Sequence, residues 1–439
     1  MKYYSTNGQA PLASLEKAVV RGLAEDRGLY MPERIPVLPE EFYRNIQTLT
    51  FQEIGCAVAG ALFGEDIPVA DLRRIVEETL SFDCPVVPVT RSIGALELFH
   101  GPTLAFKDVG ARFMARLLRH FTQHSDDPRT IHVLVATSGD TGSAVANGFL
   151  GVEGVRVHVL YPKGKVSPIQ ECQFTTLGQN ITALEVDGCF DDCQALVKAA
   201  FMDAELGSRL RLTSANSINV ARLLPQSFYY FHGFAQMKRL GLADQLVVCV
   251  PSGNFGNLCA ALIAGRMGLP VKRFVAANNA NDVFFDFLQT GEYRPRPSIP
   301  TLANAMDVGD PSNFARIYEL YGKDWKAVRA AISGNVCDDT RILAVIKQCR
   351  SQYGYLLDPH GACGFDAVYH RLGRGESALL CETAHPAKFK DTVERATGLP
   401  VEIPTRLAAF LQGEKQSVPM GKDYSLFKEY LSNIASSRA

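Results

Sequence analysis

The stretch LELFHGPTLAFKDVGARFMARLL, residues 96–118, joins an extended apolar run, a loop and an amphipathic helix. Its first residues, LELFHG (96–101), are typical of a buried strand. From Val109 to Leu118 apolar residues recur at three- and four-residue spacing, which predicts a helix that begins near Lys107. A strand followed by a helix is the repeating unit of a parallel sheet, so this stretch indicates an α/β fold.

The same alternation continues along the chain. Further strands are predicted at IHVLVA (131–136), VRVHVLY (155–161), ITALEV (181–186), QLVVCV (245–250), RFVAA (273–277) and SALLCE (377–382). Helices are predicted to begin near Lys107, Gly142, Ser167, Asp191, Ser217, Gly256 and Asp282. Continuously apolar strands separated by helices indicate parallel sheets covered on both faces, and we expect two of them.

The length of 439 residues is sufficient for two or three domains. Residues 1–95 are expected to form a mainly helical domain with Pro-rich loops such as MPERIPVLPEEF (31–42). Residues 96–225 are expected to form a smaller α/β domain. Residues 226–439 are expected to form a larger α/β domain that ends in helices.

Charge and composition exclude several classes of partner. The chain has 45 basic and 46 acidic residues, so neither nucleic acid nor an anionic membrane is an expected partner. No apolar run approaches eighteen residues, which favours a cytoplasmic protein. The 11 cysteines are scattered without a C-x-x-C pair, so we predict reduced thiols and no metal site. The oligomeric state is expected to be a monomer or a homodimer.

Lys107 is the first candidate for chemistry. It lies beside Asp108 at a helix N-terminus, where a positive charge is unfavourable. Partial burial would lower its pKa further, because both effects disfavour the ammonium form. A neutral amine is a nucleophile. The alternative is a surface lysine whose aliphatic part covers Phe106.

Two glycine-containing loops follow strands. In PSGNFGN (251–257), Gly253 and Gly256 allow backbone amides to converge at a helix N-terminus, which suits a phosphate group. The loop is neither a P-loop nor a dinucleotide fingerprint, and the alternative is an ordinary strand-to-helix turn. In TSGDTG (137–142), amides and the hydroxyls of Thr137, Ser138 and Thr141 could bind a carboxylate, or could cap the helix instead.

Two further segments carry polar groups at expected helix starts or strand ends. In SANSINVARLLPQ (214–226), a helix N-terminus combined with a guanidinium suits a second phosphate, with Asn216, Ser217, Asn219 and Arg222 as the candidates. The alternative is a polar cap before a core helix. Thr383 in TAHPAKF follows a strand and offers a neutral hydrogen-bond partner, or caps a turn.

These features in combination indicate pyridoxal 5'-phosphate as cofactor. The lysine would form the imine, the glycine loop would hold the phosphate of the cofactor, and the hydroxyl of Thr383 would meet the ring nitrogen. The remaining loop would then receive the carboxylate of an amino-acid substrate.

Eight motifs in order carry a family resemblance: YSTNGQAP with GLAEDRGLYMP, HGPTLAFKD, ATSGDTG, SANSINVARLLPQ, VPSGNFGN, NAMDVGDPSNFAR, DPHGACG and TAHPAKFK. From about Tyr4 to Lys390, the chain resembles the bacterial and fungal threonine synthase family. These are fold-type II pyridoxal phosphate enzymes, similar to tryptophan synthase β and cystathionine β-synthase. Gly361 and Cys363 depart from the Thr and Val of that family, and PLASLEKAV departs from its Val-Ser-Phe lead.

The resemblance implies two parallel-sheet domains with an N-terminal helical extension. It also implies a role for each candidate. Lys107 would bind the cofactor as a Schiff base and act as general base. The cofactor phosphate would be held by Gly253, Asn254, Phe255, Gly256 and Asn257, and the pyridine nitrogen by Thr383. The substrate carboxylate would be received by Thr137, Ser138, Gly139, Asp140 and Thr141. For the substrate phosphate, Asn216, Ser217, Asn219 and Arg222 are candidates from the sequence pattern itself and not from the resemblance. Asp140 stands where many relatives have asparagine.

The implied activity is the conversion of O-phospho-L-homoserine and water to L-threonine and phosphate, the last step of threonine biosynthesis. The alternatives are another lyase of the same fold, such as a threonine or serine dehydratase or a phospho-amine lyase. A catalytically inactive binding protein on this fold is the alternative from a different class.

Overall fold

The computed structural model describes residues 1–436, which form three sheets. The strands are β1 (Tyr3–Ser5), β2 (Tyr30–Pro32), β3 (Val86–Pro88), β4 (Ile93–Glu97), β5 (Ile131–Ala136), β6 (Val155–Pro162), β7 (Ile181–Val186), β8 (Arg211–Ser214), β9 (Leu246–Pro251), β10 (Arg273–Asn278), β11 (Ile332–Val336), β12 (Ser377–Glu382) and β13 (Val418–Met420). Three predicted strands, 131–136, 181–186 and 377–382, match the structure residue for residue.

Helices cover both faces of the two large sheets. They are α1 (Leu15–Arg21), α2 (Glu40–Asn45), α3 (Phe51–Phe63), α4 (Val69–Thr79), α5 (Lys107–Gln123), α6 (Asp140–Phe149), α7 (Pro168–Thr175), α8 (Phe190–Met202), α9 (Ala204–Arg209), α10 (Val220–Leu223), α11 (Ser227–Arg239), α12 (Gly256–Arg266), α13 (Val283–Thr290), α14 (Phe314–Leu320), α15 (Trp325–Ala331), α16 (Asp339–Tyr353), α17 (Pro359–Tyr369), α18 (Lys390–Thr397), α19 (Thr405–Leu411) and α20 (Tyr424–Ser436). Among the described residues, no helix has the length and apolar character needed to cross a membrane.

The larger sheet has the strand order β11-β10-β9-β12-β4-β3 and is parallel except for the β3–β4 pair. Alternate residues of β9 enter two separate cores: Leu246 and Val248 pack on one side, Val247 and Cys249 on the other. Both faces of this strand are therefore covered, as the continuous apolar run predicts.

The strand predicted at 96–101 is wrong in position, because β4 spans Ile93–Glu97. Gly94 concealed its start, since glycine is depleted in strands. A glycine is required here because an added Cβ would lie 2.7 Å from Val86 Cγ1 and 2.8 Å from Met237 Sδ. After Glu97 the chain leaves the sheet, although the Leu98 amide still donates to the Glu382 carbonyl at 2.9 Å.

The smaller sheet has the order β13-β7-β6-β5-β8, and all its strands are parallel. The strands of the two large sheets do not follow the domain boundaries expected at 95/96 and 225/226. Strand β4 runs across the first division and belongs to the larger sheet, while β13, from the C-terminal part, belongs to the smaller one. The chain thus returns to the smaller sheet after completing the larger one.

The N-terminal residues are mainly helical, as predicted, with a short antiparallel pair of β1 and β2. The site is positioned by the carboxyl ends of three parallel strands. Strand β5 leads into residues 137–142, β9 into residues 252–257, and β12 into residues 383–389. Ligands of open α/β sheets bind at such ends.

Candidate active site

A single cleft receives residues from all three of these loops and from the start of α5. The candidates that line it are Lys107, Thr137, Ser138, Thr141, Asn216, Ser217, Arg222, Gly253, Asn254, Phe255, Gly256, Asn257 and Thr383. Gly139, Asp140 and Asn219 do not line it. Segments that are more than 270 residues apart in sequence therefore meet in one place.

Lys107 is the first residue of α5, and its ammonium lies 5.0 Å from the centre of the Phe106 ring. Burial lowers the pKa of Lys107 to about 8, with Lys388 and Arg222 acting in the same direction and Asp140 against it. The pKa therefore lies below its usual value, as the sequence predicts. Near neutral pH an appreciable share of this amine is uncharged and able to act as a nucleophile.

The loop before Lys107 is held firmly. Thr103 donates its amide and its hydroxyl to the two carboxylate oxygens of Asp108, at 2.9 and 2.6 Å. The Phe106 amide donates to the Thr383 carbonyl at 2.9 Å, which joins this loop to the end of β12. Lys107 and Thr383 are thus fixed relative to each other by backbone, as a cofactor held between them requires.

The PSGNFGN loop presents its backbone to the cleft. Phe255 has a left-handed conformation (φ 60°) just before α12, and the amides of residues 253–257 donate no hydrogen bond to any other described residue. A Cβ at Gly253 would lie 2.6 Å from the Met306 Cα, and one at Gly256 would lie 3.0 Å from the Ser217 Cβ. The Asn257 side chain braces the loop, since it accepts from Ser252 Oγ at 2.6 Å and donates to the Pro251 carbonyl at 2.8 Å.

These free amides fit the phosphate of pyridoxal phosphate, because unpaired N–H groups at a helix N-terminus bind anions. Thr383 agrees with the remaining requirement, since its side chain lies in the cleft and donates to no described residue. The residues present therefore fit this cofactor at its phosphate, its carbonyl and its ring nitrogen.

The TSGDTG loop divides its polar groups between structure and cleft. The Thr137 hydroxyl accepts from the amides of Gly139 and Gly142, at 2.9 and 2.8 Å. It therefore shapes the loop at the start of the helix, which is the second of the two alternatives that the sequence left open. Gly139 has φ 145°, and a Cβ there would lie 2.6 Å from Gln170. The hydroxyls of Ser138 and Thr141 remain at the cleft surface.

Asp140 lies behind the cleft in an ion pair that sequence reasoning missed. The Lys388 ammonium is fully buried, lies 2.5 Å from Asp140 Oδ1 and donates to the Thr103 carbonyl at 2.9 Å. Burial alone would raise the pKa of Asp140, but Lys388 and Lys107 hold it well below its usual value. The available signal was Lys388 in TAHPAKFK, six residues after the strand predicted at 377–382.

Of the four candidates in SANSINVARLLPQ (214–226), three line the cleft and one does not. Asn216, Ser217 and Arg222 reach the cleft, and the Arg222 guanidinium is buried, with Nη1 donating to the Ala215 carbonyl and Nε without a partner. The expectation that Asn219 binds the substrate phosphate is wrong. Its side chain caps α10 by accepting from the Ala221 amide at 2.9 Å, and it donates to the Val19 carbonyl at 2.9 Å. Because its side chain is used in this way, it faces the N-terminal segment and not the cleft.

His360 and residues 304–308 also line the cleft and were missed as site residues. His360 accepts from the Ala305 amide at 3.2 Å through Nε2, and its Nδ1 donates to Asp358. The only signal was that both DPHGACG and NAMDVGDPSNFAR are among the motifs of the family resemblance. Their distance in sequence from the other loops concealed the contact.

Gly361, one of the two departures in DPHGACG, has a structural reason. A Cβ at this position would overlap the carboxyl group of Glu382, which is fully buried at the end of β12. Neither carboxyl oxygen of Glu382 has a hydrogen-bond partner among the described residues. Burial, and after it the neighbouring Asp358, raise the pKa of Glu382 well above its usual value.

Comparison with known proteins defines the class first. Residues 94–380 match the family described as pyridoxal-phosphate dependent enzyme, so the fold is that of a fold-type II pyridoxal phosphate enzyme. Residues 2–80 and 361–431 match the N-terminal and C-terminal threonine synthase families. The chain belongs to the threonine synthase family, and its cofactor is pyridoxal phosphate.

Individual relatives agree over nearly the whole length. A threonine synthase of Serratia marcescens is 45% identical over 93% of this chain and 94% of its own. The crystal structure of threonine synthase from Escherichia coli superposes with a TM-score of 0.92 at 42% identity, covering 99% of this chain and 100% of that one. A pyridoxal phosphate-bound threonine synthase from Brucella melitensis gives 0.90 at 35% identity, covering 99% and 100%.

Proposed function

We propose that this chain converts O-phospho-L-homoserine and water to L-threonine and phosphate. The observation that carries the proposal is the pairing in one cleft of Lys107 and the free amides of residues 253–257 with a second anion-binding group, Arg222. A substrate that carries its own phosphate explains why the cleft has two anion-binding sites, one for the cofactor phosphate and one for the substrate phosphate. A dehydratase would need only the first.

When bound, pyridoxal phosphate supplies an electron sink for the carbanion at the substrate α-carbon. Lys107 would hold the cofactor through its amine, and that amine, with a pKa of about 8, is suited to accept the substrate α-proton and later to return it. In the overall conversion the bond between the γ-carbon and the phosphate oxygen breaks, and the proton lost from the β-carbon is balanced by one gained at the γ-carbon. Water gives its hydroxyl to the β-carbon and its other proton to the departing phosphate, and Lys107 would again hold the cofactor when threonine leaves.

The other residues position these groups. Ser138 and Thr141, with the amides of their loop, bind the substrate carboxylate at the N-terminus of α6. Arg222, Asn216 and Ser217 bind the departing phosphate, and Arg222 remains cationic although burial lowers its pKa to about 10. Thr383 donates or accepts a neutral hydrogen bond at the ring nitrogen.

The proposal is tested by product analysis of the purified holoenzyme with O-phospho-L-homoserine. We expect phosphate and threonine in equal amounts, and no turnover by the Lys107→Ala variant, which removes the amine but little of the core. A second assay offers L-threonine and L-serine alone. Formation of ammonia and a 2-oxo acid from these, without threonine from the phosphorylated substrate, would establish a dehydratase instead.

The state as a monomer or homodimer and the cytoplasmic location stay predictions. The absence of nucleic-acid and membrane partners is likewise proposed from the balanced charge of 45 basic and 46 acidic residues.

A further inference from the structure

A cluster of two histidines and one aspartate lies on the surface between α4 and the far end of α5. One ligand atom from each of Asp71, His120 and His124 lies within 4.8 Å of the other two. His120 lies in the last turn of α5 and His124 directly follows the last residue of that helix, while Asp71 comes from α4. Lys107 is thirteen residues earlier, roughly 20 Å along the same helix, so the cluster is separate from the active site.

His120 is buried yet incompletely bonded. Its side chain is 9% exposed, and its Nδ1 has no hydrogen-bond partner among the described residues. This atom lies 3.8 Å from Asp71 Oδ2, too far for a hydrogen bond. A buried imidazole nitrogen directed at a carboxylate without contacting it leaves a place for a bridging ion.

The other two groups are already oriented for coordination. His124 donates through Nδ1 to the His120 carbonyl at 2.7 Å, which fixes the tautomer and leaves the Nε2 lone pair free. Arg74 donates to Asp71 Oδ1 at 2.7 Å, which leaves Oδ2 on the side of His120. The Arg74 side chain is 53% exposed, so solvent screens its charge from an ion at this place.

We propose that Asp71, His120 and His124 form a binding site for a divalent transition-metal ion, with Zn²⁺ as the expected occupant. Two imidazoles and one carboxylate are a ligand set that Zn²⁺ accepts, with water in the fourth position. Bonds of about 2.1 Å in a tetrahedron place ligand atoms about 3.4 Å apart. The Nδ1 to Oδ2 distance of 3.8 Å needs only a small contraction to reach this.

Such an ion would fasten the N-terminal helical segment to α5, the helix that begins at Lys107. Sequence reasoning predicted no metal site because it relied on cysteine spacing. The cluster depends instead on His120 of α5, on His124 directly after that helix, and on Asp71, 49 positions before His120, and only the packing of α4 on α5 brings these residues together.

The test is titration of ZnCl₂ into chelator-treated holoenzyme by isothermal titration calorimetry, with melting temperatures measured in parallel. We expect one Zn²⁺ per chain and a higher Tm with zinc. His124→Ala and Asp71→Asn, both at accessible positions, should each weaken zinc binding by at least about tenfold and abolish the rise in Tm. His370→Ala, which removes an exposed histidine elsewhere, should change neither.

Melting curves in the presence of chelator establish that each variant is folded. Mg²⁺, which prefers oxygen ligands, should not reproduce the rise in Tm. Absence of saturable zinc binding to the wild-type chain would overturn the proposal. Unchanged zinc affinity in either His124→Ala or Asp71→Asn would also overturn it.

Discussion

Arg222 is a candidate for binding the substrate phosphate because part of its guanidinium has no hydrogen-bond partner among the described residues. It is 2% exposed, it faces the cleft, and its Nε has no partner among the described residues. A buried cation with an unused donor is costly unless a ligand completes its bonding. The phosphate of the substrate is the anion that the proposed reaction supplies.

We therefore expect Arg222→Ala to lower kcat/KM for O-phospho-L-homoserine while leaving the spectrum of the bound cofactor unchanged. A charge-assisted contact contributes about 1.5 to 3 kcal/mol, which is roughly a ten- to hundredfold loss. Arg222→Lys should recover only part of it, because an ammonium lacks the planar pair of donors. The measurement is steady-state kinetics beside thermal melting.

Lys163→Ala serves as the control, since Lys163 is exposed and does not line the cleft. If Arg222→Ala kept its kcat/KM and lost only thermal stability, Arg222 would be a brace for its own segment. The phosphate-binding group would then have to be sought elsewhere.

At the scale of elements, α17 packs against the end of β12 at a contact that tolerates no side chain at position 361. Gly361 and Glu382 fill one space between them, since a Cβ on the first would overlap the carboxyl of the second. The helix and the strand can approach closely because the large side chain of Glu382 on β12 lies against Gly361 on α17, which has no side chain. The departure from the family pattern at Gly361 is thus a packing adjustment.

We predict that Gly361→Ala destabilises the fold by about 1 to 3 kcal/mol through overpacking. The double variant Gly361→Ala with Glu382→Ala should regain most of this, because the second change removes the overlapping group. Urea unfolding of the two single variants and the double variant measures the coupling. Additive losses would mean that the two residues do not compete for the same space.

The pH dependence of stability has a definite sign at this contact. Because the pKa of Glu382 is raised in the folded chain, folding retains a proton that the unfolded chain releases above a pH of about 4.3. The free energy of unfolding should therefore decline as pH rises from there, and Glu382→Gln should weaken that decline.

Sequence patterns predicted those elements whose periodicity is local. The apolar strand β12 and the helix that begins at Lys107 were predicted within a residue, because both faces of the strand and one face of the helix are buried in apolar cores. Strand β11, with the sequence ISGNV, was missed because its polar and glycine residues lack a β pattern. Lys388 and His360 were missed because their contacts join segments far apart in sequence.

At the scale of the whole molecule, Lys388 and Asp140 connect the two sheets. Asp140 begins α6 after β5 of the smaller sheet, and Lys388 follows β12 of the larger one. Their ion pair is buried behind Lys107. The Lys388 charge lowers the pKa of Lys107, and the Asp140 charge raises it. The pair therefore fixes how the two halves of the cleft meet, and it also influences the charge of Lys107.

We expect Lys388→Met to destabilise the fold by about 3 to 5 kcal/mol, because it leaves the Asp140 carboxylate buried without its partner. The double variant Asp140→Asn with Lys388→Met removes both charges and should recover most of this stability.

In the single variant Lys388→Met the pKa of Lys107 should rise, since the ammonium that lowers it is gone while Asp140 remains. Capture of pyridoxal phosphate by the apoenzyme requires the neutral amine, so its rate should increase with pH around a midpoint of about 8 in the wild-type chain and at higher pH in the variant. Stopped-flow measurement of cofactor binding across this range, with unfolding curves for both variants, tests the two effects separately. An unchanged midpoint in a folded Lys388→Met variant would show that the ion pair holds the sheets together without acting on Lys107.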